Sequence, residues 1–303
     1  MRDWRRSRVA VARAAELAGP DATVEAVHSL LGGTHAHTTL IRTANPELEV
    51  VLREFPPGDD TASREARVLS ALDGLDGLAP RLLASDSSDT ATRGSWLLIS
   101  RLPGTANITV GEPSAWARQL GRTLARIHST PPRRLAGFPN VLDRPSGSLA
   151  GIGGPAASVV GSNWRRLASA PPVLTHHDFW SGNVVWERGI LTGVVDWAGS
   201  ALGPRGFDVS WCRLDLYLLH GEGIADEFLA SYEAASESVL FDPLLWDLWA
   251  VARSHQIIEE WVPNYRDLGR SDLTATELRN RHTAWTAHLL ANRRDGPSMI
   301  KDA

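Results

Sequence analysis

Apolar residues recur at two different periods along this chain, and the change from one to the other divides it. In the first hundred residues they fall in short runs. LEVVLREF (48–55) and SWLLISR (95–101) are bounded by Asn45-Pro46, Pro56-Pro57-Gly58 and Pro103-Gly104, and read as strands. VHSLLGGTHAHTTLIRTA gives two more apolar-rich runs around Gly32-Gly33. One amphipathic helix opens the chain, and a second, ASREARVLSAL, follows Asp60 or Thr61, either of which can cap it. From Glu112 the period becomes helical. Pro113 suits a first turn, and Trp116, Leu120, Leu124 and Ile127 form one apolar face. A Pro-, Gly- and Ser-rich stretch at about 131–162 reads as loop, and strands at 183–187 and 190–195 meet at Arg188-Gly189. Helices are expected over 208–220, 223–238, 242–261 and 272–293, with Trp246, Trp249 and Trp285 in their core. The pattern predicts an α+β chain of two lobes, a small β-sheet lobe at 1–102 and a larger, mainly helical one at 103–303.

Composition narrows the function classes. A chain of 303 residues with 43% hydrophobic and 22% charged residues is an ordinary globular protein. Its net charge of −4 argues against nucleic acid as a partner. The apolar run behind the basic N-terminal residues is broken by Arg13 and Glu16, so the segment reads as an amphipathic helix rather than a signal peptide. No run approaches the length of a membrane span, and a cytoplasmic protein without a membrane partner is expected. The oligomeric state stays open, a monomer being slightly favoured. Cys212 is the only cysteine, which excludes an internal disulfide and suits a buried small side chain.

One segment breaks the apolar pattern. LTHHDFWSGNVVWERGILTGVVDWAG (174–199) sets Asp178, Asn183 and Asp196 among residues that call for burial. A carboxylate there is costly unless a metal ion, a cation or a reacting proton meets it. His176, Asp178 and Asn183 follow the spacing H-x-D-x-x-x-x-N, and Asp196 stands thirteen residues further on at a strand end. In kinase-type phosphoryl transfer such an Asp takes the substrate hydroxyl proton, while the Asn and the later Asp hold Mg²⁺ against the ATP phosphates. Mg²⁺ suits this trio, being a hard cation that prefers oxygen. Zinc does not, because adjacent His176 and His177 do not converge on one tetrahedral ion.

LTHHDFWSGNVVW…GVVDWAGSALGPRGFDVSW resembles the catalytic core of the aminoglycoside phosphotransferase family, relatives of the protein kinases, and the resemblance extends over about residues 25–260. It implies a bilobal protein-kinase-like fold and transfer of a γ-phosphoryl group from ATP or GTP to a small-molecule hydroxyl. It implies Asp178 as catalytic base and Asn183 and Asp196 as Mg²⁺ ligands. LLGGTHAHTTLI resembles the nucleotide loop, with Gly33 and Thr34 facing phosphate. Arg53 stands at the position of the phosphate-gripping lysine, with Glu65 as its orienting partner, and Lys301 is the chain's only lysine. The backbones of Ser100 and Leu102 correspond to the adenine-binding connector. His176 is expected to brace the loop; Asp208 can cap the following helix, the resemblance implies that it also braces the loop, and the two roles can coexist. HQIIEEWVPNY suggests Glu259, Glu260 and Trp261 as acceptor contacts for a cationic or sugar-like molecule, although solvated glutamates on a helix would look the same. Acceptors in the family include aminoglycosides, macrolides, choline, homoserine and sugars. A nucleotide-binding pseudo-enzyme remains a competing class. A protein kinase is disfavoured by the short span between Asp196 and the next helix.

Overall fold

A computed structural model describes residues 8–30, 36–87, 94–109, 111–143 and 149–295. In chain order the elements begin with α1 (Arg8–Ala18), β1 (Thr23–Ser29), β2 (His37–Ala44), β3 (Leu48–Phe55) and α2 (Thr61–Leu72). They continue with β4 (Leu82–Asp86), β5 (Ser95–Ser100), β6 (Thr105–Ala106), α3 (Pro113–His128), α4 (Ala157–Ala168) and β7 (Pro172–Thr175). Then come β8 (Val184–Glu187), β9 (Ile190–Val194), β10 (Ala201–Pro204), α5 (Gly206–His220), α6 (Glu222–Ser236), α7 (Pro243–Ser254), α8 (Val262–Asp267) and α9 (Ala275–Asp295). This is the protein-kinase-like fold class, a β-sheet N-terminal lobe and a helical C-terminal lobe. Two compact units form, one within residues 1–107 and 182–200, the other within 108–181 and 201–303.

The first unit centres on an antiparallel sheet of order β1-β2-β3-β5-β4. Strand alternation sends Val50 and Leu52 of β3 toward Ala10 and Ala14 of α1, where they are fully buried with Ile41 and Leu98. The same alternation turns Arg53 to the opposite face. A second sheet, order β6-β8-β9, carries the hairpin of β8 and β9. Gly193 in that hairpin has no side chain for a reason: a β-carbon there would lie 2.6 Å from Leu102 Cδ1.

The second unit is helical apart from the β7–β10 pair. The predicted face of α3 is buried at Trp116, Leu120, Leu124 and Ile127. Its Gly121 lets α6 approach closely, since a β-carbon would stand 2.7 Å from the Phe228 carbonyl oxygen. Trp246, Trp249, Trp285 and Cys212 are all buried, as expected.

Several local expectations need correction. The helix read over 242–261 stops at Ser254; a 3-10 turn covers Ile258–Trp261 before α8 begins. Pro263 lies in the first turn of α8, where its missing N–H costs no helical hydrogen bond. Helix α4 starts inside the stretch read as loop, with only Val160 and Leu167 fully buried to mark it. Strand β4 was not foreseen. At the start of α2, Asp60 makes no capping bond with its side chain; Asp59 Oδ1 instead accepts from the Thr61 N–H at 2.8 Å.

Candidate active site

In the first unit the β8–β9 hairpin brings Asn183 and Asp196 together. Val184 pairs with Val194, and the Val195 N–H donates to the Asn183 carbonyl at 2.8 Å, so the two polar residues flank the hairpin's open end. Asp196 has a left-handed backbone (φ 66°, ψ 62°). Arg53 reaches the same place from β3. Its Nη1 donates to Glu65 Oε1 at 2.6 Å and its Nη2 to Asp196 Oδ1 at 3.0 Å. Glu65 comes from α2, and both Arg53 and Glu65 are buried, at 8% and 1% exposure. Burial pushes the Glu65 carboxyl up to about 7 against the pull of Arg53, and the nearby Asp196 charge adds to the rise. Burial acts to lower the Arg53 guanidinium, but Glu65 and Asp196 together hold it above its ordinary value. At the connector, the Ser100 N–H donates to the Arg81 carbonyl at 2.9 Å, so that donor is already engaged within the unit. Gly33 and Thr34 lie outside the described residues.

In the second unit the loop after β7 is held by one stripe of α5. Asp208, Trp211 and Asp215 are spaced i, i+3, i+7, which aligns them along one helix face. Asp208 Oδ2 accepts from the His176 N–H at 2.6 Å and its Oδ1 from the His177 N–H at 2.7 Å. Trp211 Nε1–H donates to Asp178 Oδ1 at 3.1 Å. Asp215 Oδ2 accepts from the Ser181 N–H at 3.0 Å and from its hydroxyl at 2.5 Å, while Tyr265 O–H donates to Oδ1 at 2.8 Å. Each end of the loop is thus fixed by a buried carboxylate, and the half-buried Asp178 between them is fixed by an indole.

Asp208 stands within the first turn of α5, whose N-cap is Arg205, so it serves the loop and does not cap the helix. Burial alone would raise its carboxyl, yet the bond from His128 holds it below the ordinary value. His128 Nε2 lies 3.2 Å from Asp208 Oδ2, and its Nδ1 lies 2.8 Å from the Tyr232 hydroxyl. Burial lowers the His128 imidazole, which favours a neutral ring that donates from Nε2 and accepts at Nδ1. His176 is fully buried and meets the Phe179 ring edge-on at 6.3 Å. His177 adopts φ 67°, a left-handed conformation unusual outside glycine, with its ring 5.0 Å from that of Phe207.

Of the residues expected at the acceptor side, Glu259 is tied to Arg279 by two bonds of 2.6 Å, Glu260 is exposed, and Trp261 meets Trp211 at 5.0 Å and 68°. Trp211, Asp215, Ser181, Tyr265 and His128 were not foreseen. The i, i+3, i+7 spacing of Asp208, Trp211 and Asp215 in FDVSWCRLD is the same that an ordinary helix face shows.

These features are the architecture of a protein-kinase-like phosphotransferase. The sequence profile of the phosphotransferase enzyme family matches residues 27–249. That is more than half of the 303-residue chain, and the protein belongs to this family. Its general activity is phosphoryl transfer. Among similar solved structures is a Ralstonia eutropha JMP134 protein provisionally named an aminoglycoside phosphotransferase. It has TM-score 0.63 and 16% identity, with 94% of this chain and 99% of that one covered. A macrolide 2′-phosphotransferase apoenzyme from Brachybacterium faecium gives TM-score 0.56 and 18% identity over 97% and 99% of the two chains. A thermostable mutant of aminoglycoside phosphotransferase APH(4)-Ia, in ternary complex with AMP-PNP and hygromycin B, gives TM-score 0.58 and 15% identity over 88% and 94%. At such identities the likeness bears on the fold alone. No curated protein sequence matches the chain. No helix among the described residues is long and apolar enough to cross a membrane.

Proposed function

We propose that the protein transfers the γ-phosphoryl group of ATP or GTP to a hydroxyl of a small molecule, with Mg²⁺ as cofactor. The observation that carries this reading is the fixed, half-buried Asp178 carboxylate, oriented by Trp211 on a loop tied down at His176, His177 and Ser181. Such a group is suited to accept the proton of a hydroxyl as that oxygen attacks phosphorus. The new O–P bond replaces the bond to the β-phosphate oxygen, and the nucleoside diphosphate leaves with the displaced electron pair.

The remaining roles follow from the chemistry of each group. Arg53 grips phosphate oxygens through the fork of its guanidinium while Glu65 keeps it oriented. Asn183 and Asp196 offer an amide oxygen and a carboxylate side by side at the hairpin end, a hard-oxygen donor set that fits Mg²⁺. Bound there, Mg²⁺ would neutralise charge on the phosphate oxygens. Among the described residues no group of three or more His, Cys, Asp or Glu side chains could hold a metal ion, so the site relies on this pair together with phosphate. Leu102 meets the base through its backbone and Ser100 through its carbonyl alone, its N–H being engaged by Arg81, and His176 and Asp208 support the loop. The names of the solved relatives include phosphotransferases for aminoglycosides and a macrolide, which favours a small-molecule acceptor over a protein.

The test is transfer of ³²P from [γ-³²P]ATP with Mg²⁺ to a panel of amino sugars, macrolides, amino alcohols and sugars. Asp178→Asn is expected to lower kcat by roughly 10²–10⁴-fold, the range for loss of a general base, with nucleotide affinity retained. Wild-type kcat in that variant would remove the assignment.

A further inference from the structure

We propose that Tyr265 is a positioning residue for phosphoryl transfer, its hydroxyl acting through Asp215 to hold the Ser181 end of the loop that carries Asp178. This rests on the reading of Asp178 as the base and extends the machinery to a residue of α8. Tyr265 meets the loop at two consecutive residues. Its O–H donates to Asp215 Oδ1 at 2.8 Å, and Asp215 Oδ2 accepts both the N–H and the hydroxyl of Ser181. The Trp180 ring meets the Tyr265 ring edge-on at 5.8 Å and 81°. Tyr265, Asp215 and Ser181 are all buried, at 1%, 1% and 0% exposure.

Asp215 is held differently from the buried Asp247, which is paired with the Arg213 guanidinium at 3.0 Å. Among the described residues the hydrogen-bond partners of Asp215 are one amide and two hydroxyls, all neutral. Burial raises its carboxyl against the pull of the Ser181 and Tyr265 bonds. A buried carboxylate with no cation bonded to it is costly, and it keeps its place only while each donor keeps its own. Burial, and then the Asp215 charge, raise the Tyr265 hydroxyl well above its ordinary value, so it stays a donor.

The arrangement secures the backbone just past the base. Ser181 follows Asp178 by three residues and opens the 3-10 turn that ends at Asn183. Trp211 bonds the Asp178 side chain, not the backbone that carries it. Asp208 holds that backbone before the base, at the amides of His176 and His177, and Asp215 holds it after the base. Tyr265 has little freedom of its own, since its carbonyl accepts from the N–H groups of Leu268 and Arg270 at 3.2 and 2.9 Å. Without the Tyr265 O–H, Asp215 Oδ1 is left buried with no donor. The carboxylate must then move to find another, and its grip on Ser181 loosens.

The experiment uses Tyr265→Phe, which keeps the ring beside Trp180 and removes only the O–H. With an acceptor from the ³²P panel, kcat per folded enzyme should fall about 10- to 100-fold. KM and the affinity for AMP-PNP with Mg²⁺ should stay within about twofold. Ser181→Ala should lower kcat about 3- to 10-fold. Because both act through one carboxylate, the double variant should lose no more than about twice the larger single loss. In hydrogen exchange the Ser181 amide should open about tenfold faster in Tyr265→Phe, with the amides of α9 near wild type. A kcat within about twofold of wild type in Tyr265→Phe would overturn the proposal and leave Tyr265 a packing residue. So would losses that multiply in the double variant. If Tyr265→Phe does not fold, Ser181→Ala decides alone, an unchanged kcat again overturning the proposal. The broader reading fails separately, if transfer to any acceptor survives Asp178→Asn or none is found. Exchange at the Ser181 amide needs no acceptor, and an unchanged rate in Tyr265→Phe would by itself overturn the hold.

Discussion

Replacing Asp208 by Asn removes one oxygen from a group that accepts three hydrogen bonds. Oδ2 takes the His176 N–H at 2.6 Å and the His128 Nε2–H at 3.2 Å, and Oδ1 takes the His177 N–H at 2.7 Å. The amide oxygen of Asn satisfies most donors at the Oδ2 position. Its NH₂ then confronts the His177 N–H, donor against donor. The lost bond to a charged acceptor costs about 1.5–3 kcal/mol, and the orphaned amide about 1–3 kcal/mol. Removing a buried charge offsets part of this, leaving about 2–4 kcal/mol. His177 adds to the loop's tendency to move. Its left-handed backbone, at φ 67°, carries a penalty of roughly 1–2 kcal/mol that relaxation would release.

Hydrogen exchange resolves this locally. At about 1.4 kcal/mol per tenfold, the amides of peptide 174–181 should exchange about 30- to 1,000-fold faster in Asp208→Asn, while those of α9 stay near wild type. Because Asp178 follows His177 directly, a displacement of about 1 Å should also lower turnover about 100-fold. If the His177 amide exchanges within about threefold of wild type in both Asp208→Asn and Asp208→Ala, the carboxylate does not hold the loop and the reasoning fails.

Other expectations follow from the same geometry. Arg53→Ala strands the buried Glu65 and should cost about 3–5 kcal/mol in urea unfolding, whereas Arg53→Lys should recover most of that stability but grip nucleotide less tightly in a titration with AMP-PNP. Burial first, and then the charge of Arg279, lowers the His282 imidazole to about 4. A depressed histidine contributes stability that is present above its unfolded value near 6.5 and is lost as pH falls through 4. Between pH 7 and pH 4 wild type should therefore lose about 3 kcal/mol more than His282→Gln; equal losses in the two proteins would contradict this. Gly121→Val should disrupt the α3–α6 contact at the Phe228 carbonyl and cost about 1–3 kcal/mol, seen as a lower melting temperature.

The sequence disclosed what periodicity encodes. Strand β3 and the α3 face announced themselves through alternation and spacing, and the H-x-D-x-x-x-x-N run located the loop that carries Asp178. Helix α4 escaped because alanine, serine and glycine diluted its apolar face. The break after Ser254 escaped because the apolar pattern ran on to Trp261. Of the loop's supports, Asp208 could be suspected, but Asp215 and Trp211 could not be told from an ordinary helix face. A buried aspartate declares its purpose only through the amides it accepts from, and those lie more than thirty residues away in the chain. For Glu259 the residue type suggested a cation site, and Arg279, twenty positions on, had already claimed it.

The stripe on α5 makes the loop's shape a matter of helical phase. Asp208 and Asp215 are separated by two turns, about 10 Å of axial rise, and Trp211 falls between them. One residue inserted anywhere between Asp208 and Asp215 would rotate one anchor by about 100° and lengthen the span by about 1.5 Å. No side-chain adjustment can make that good. This stretch of the chain should therefore accept substitutions far more readily than changes in length, although it lies in a helix and contains no catalytic group of its own.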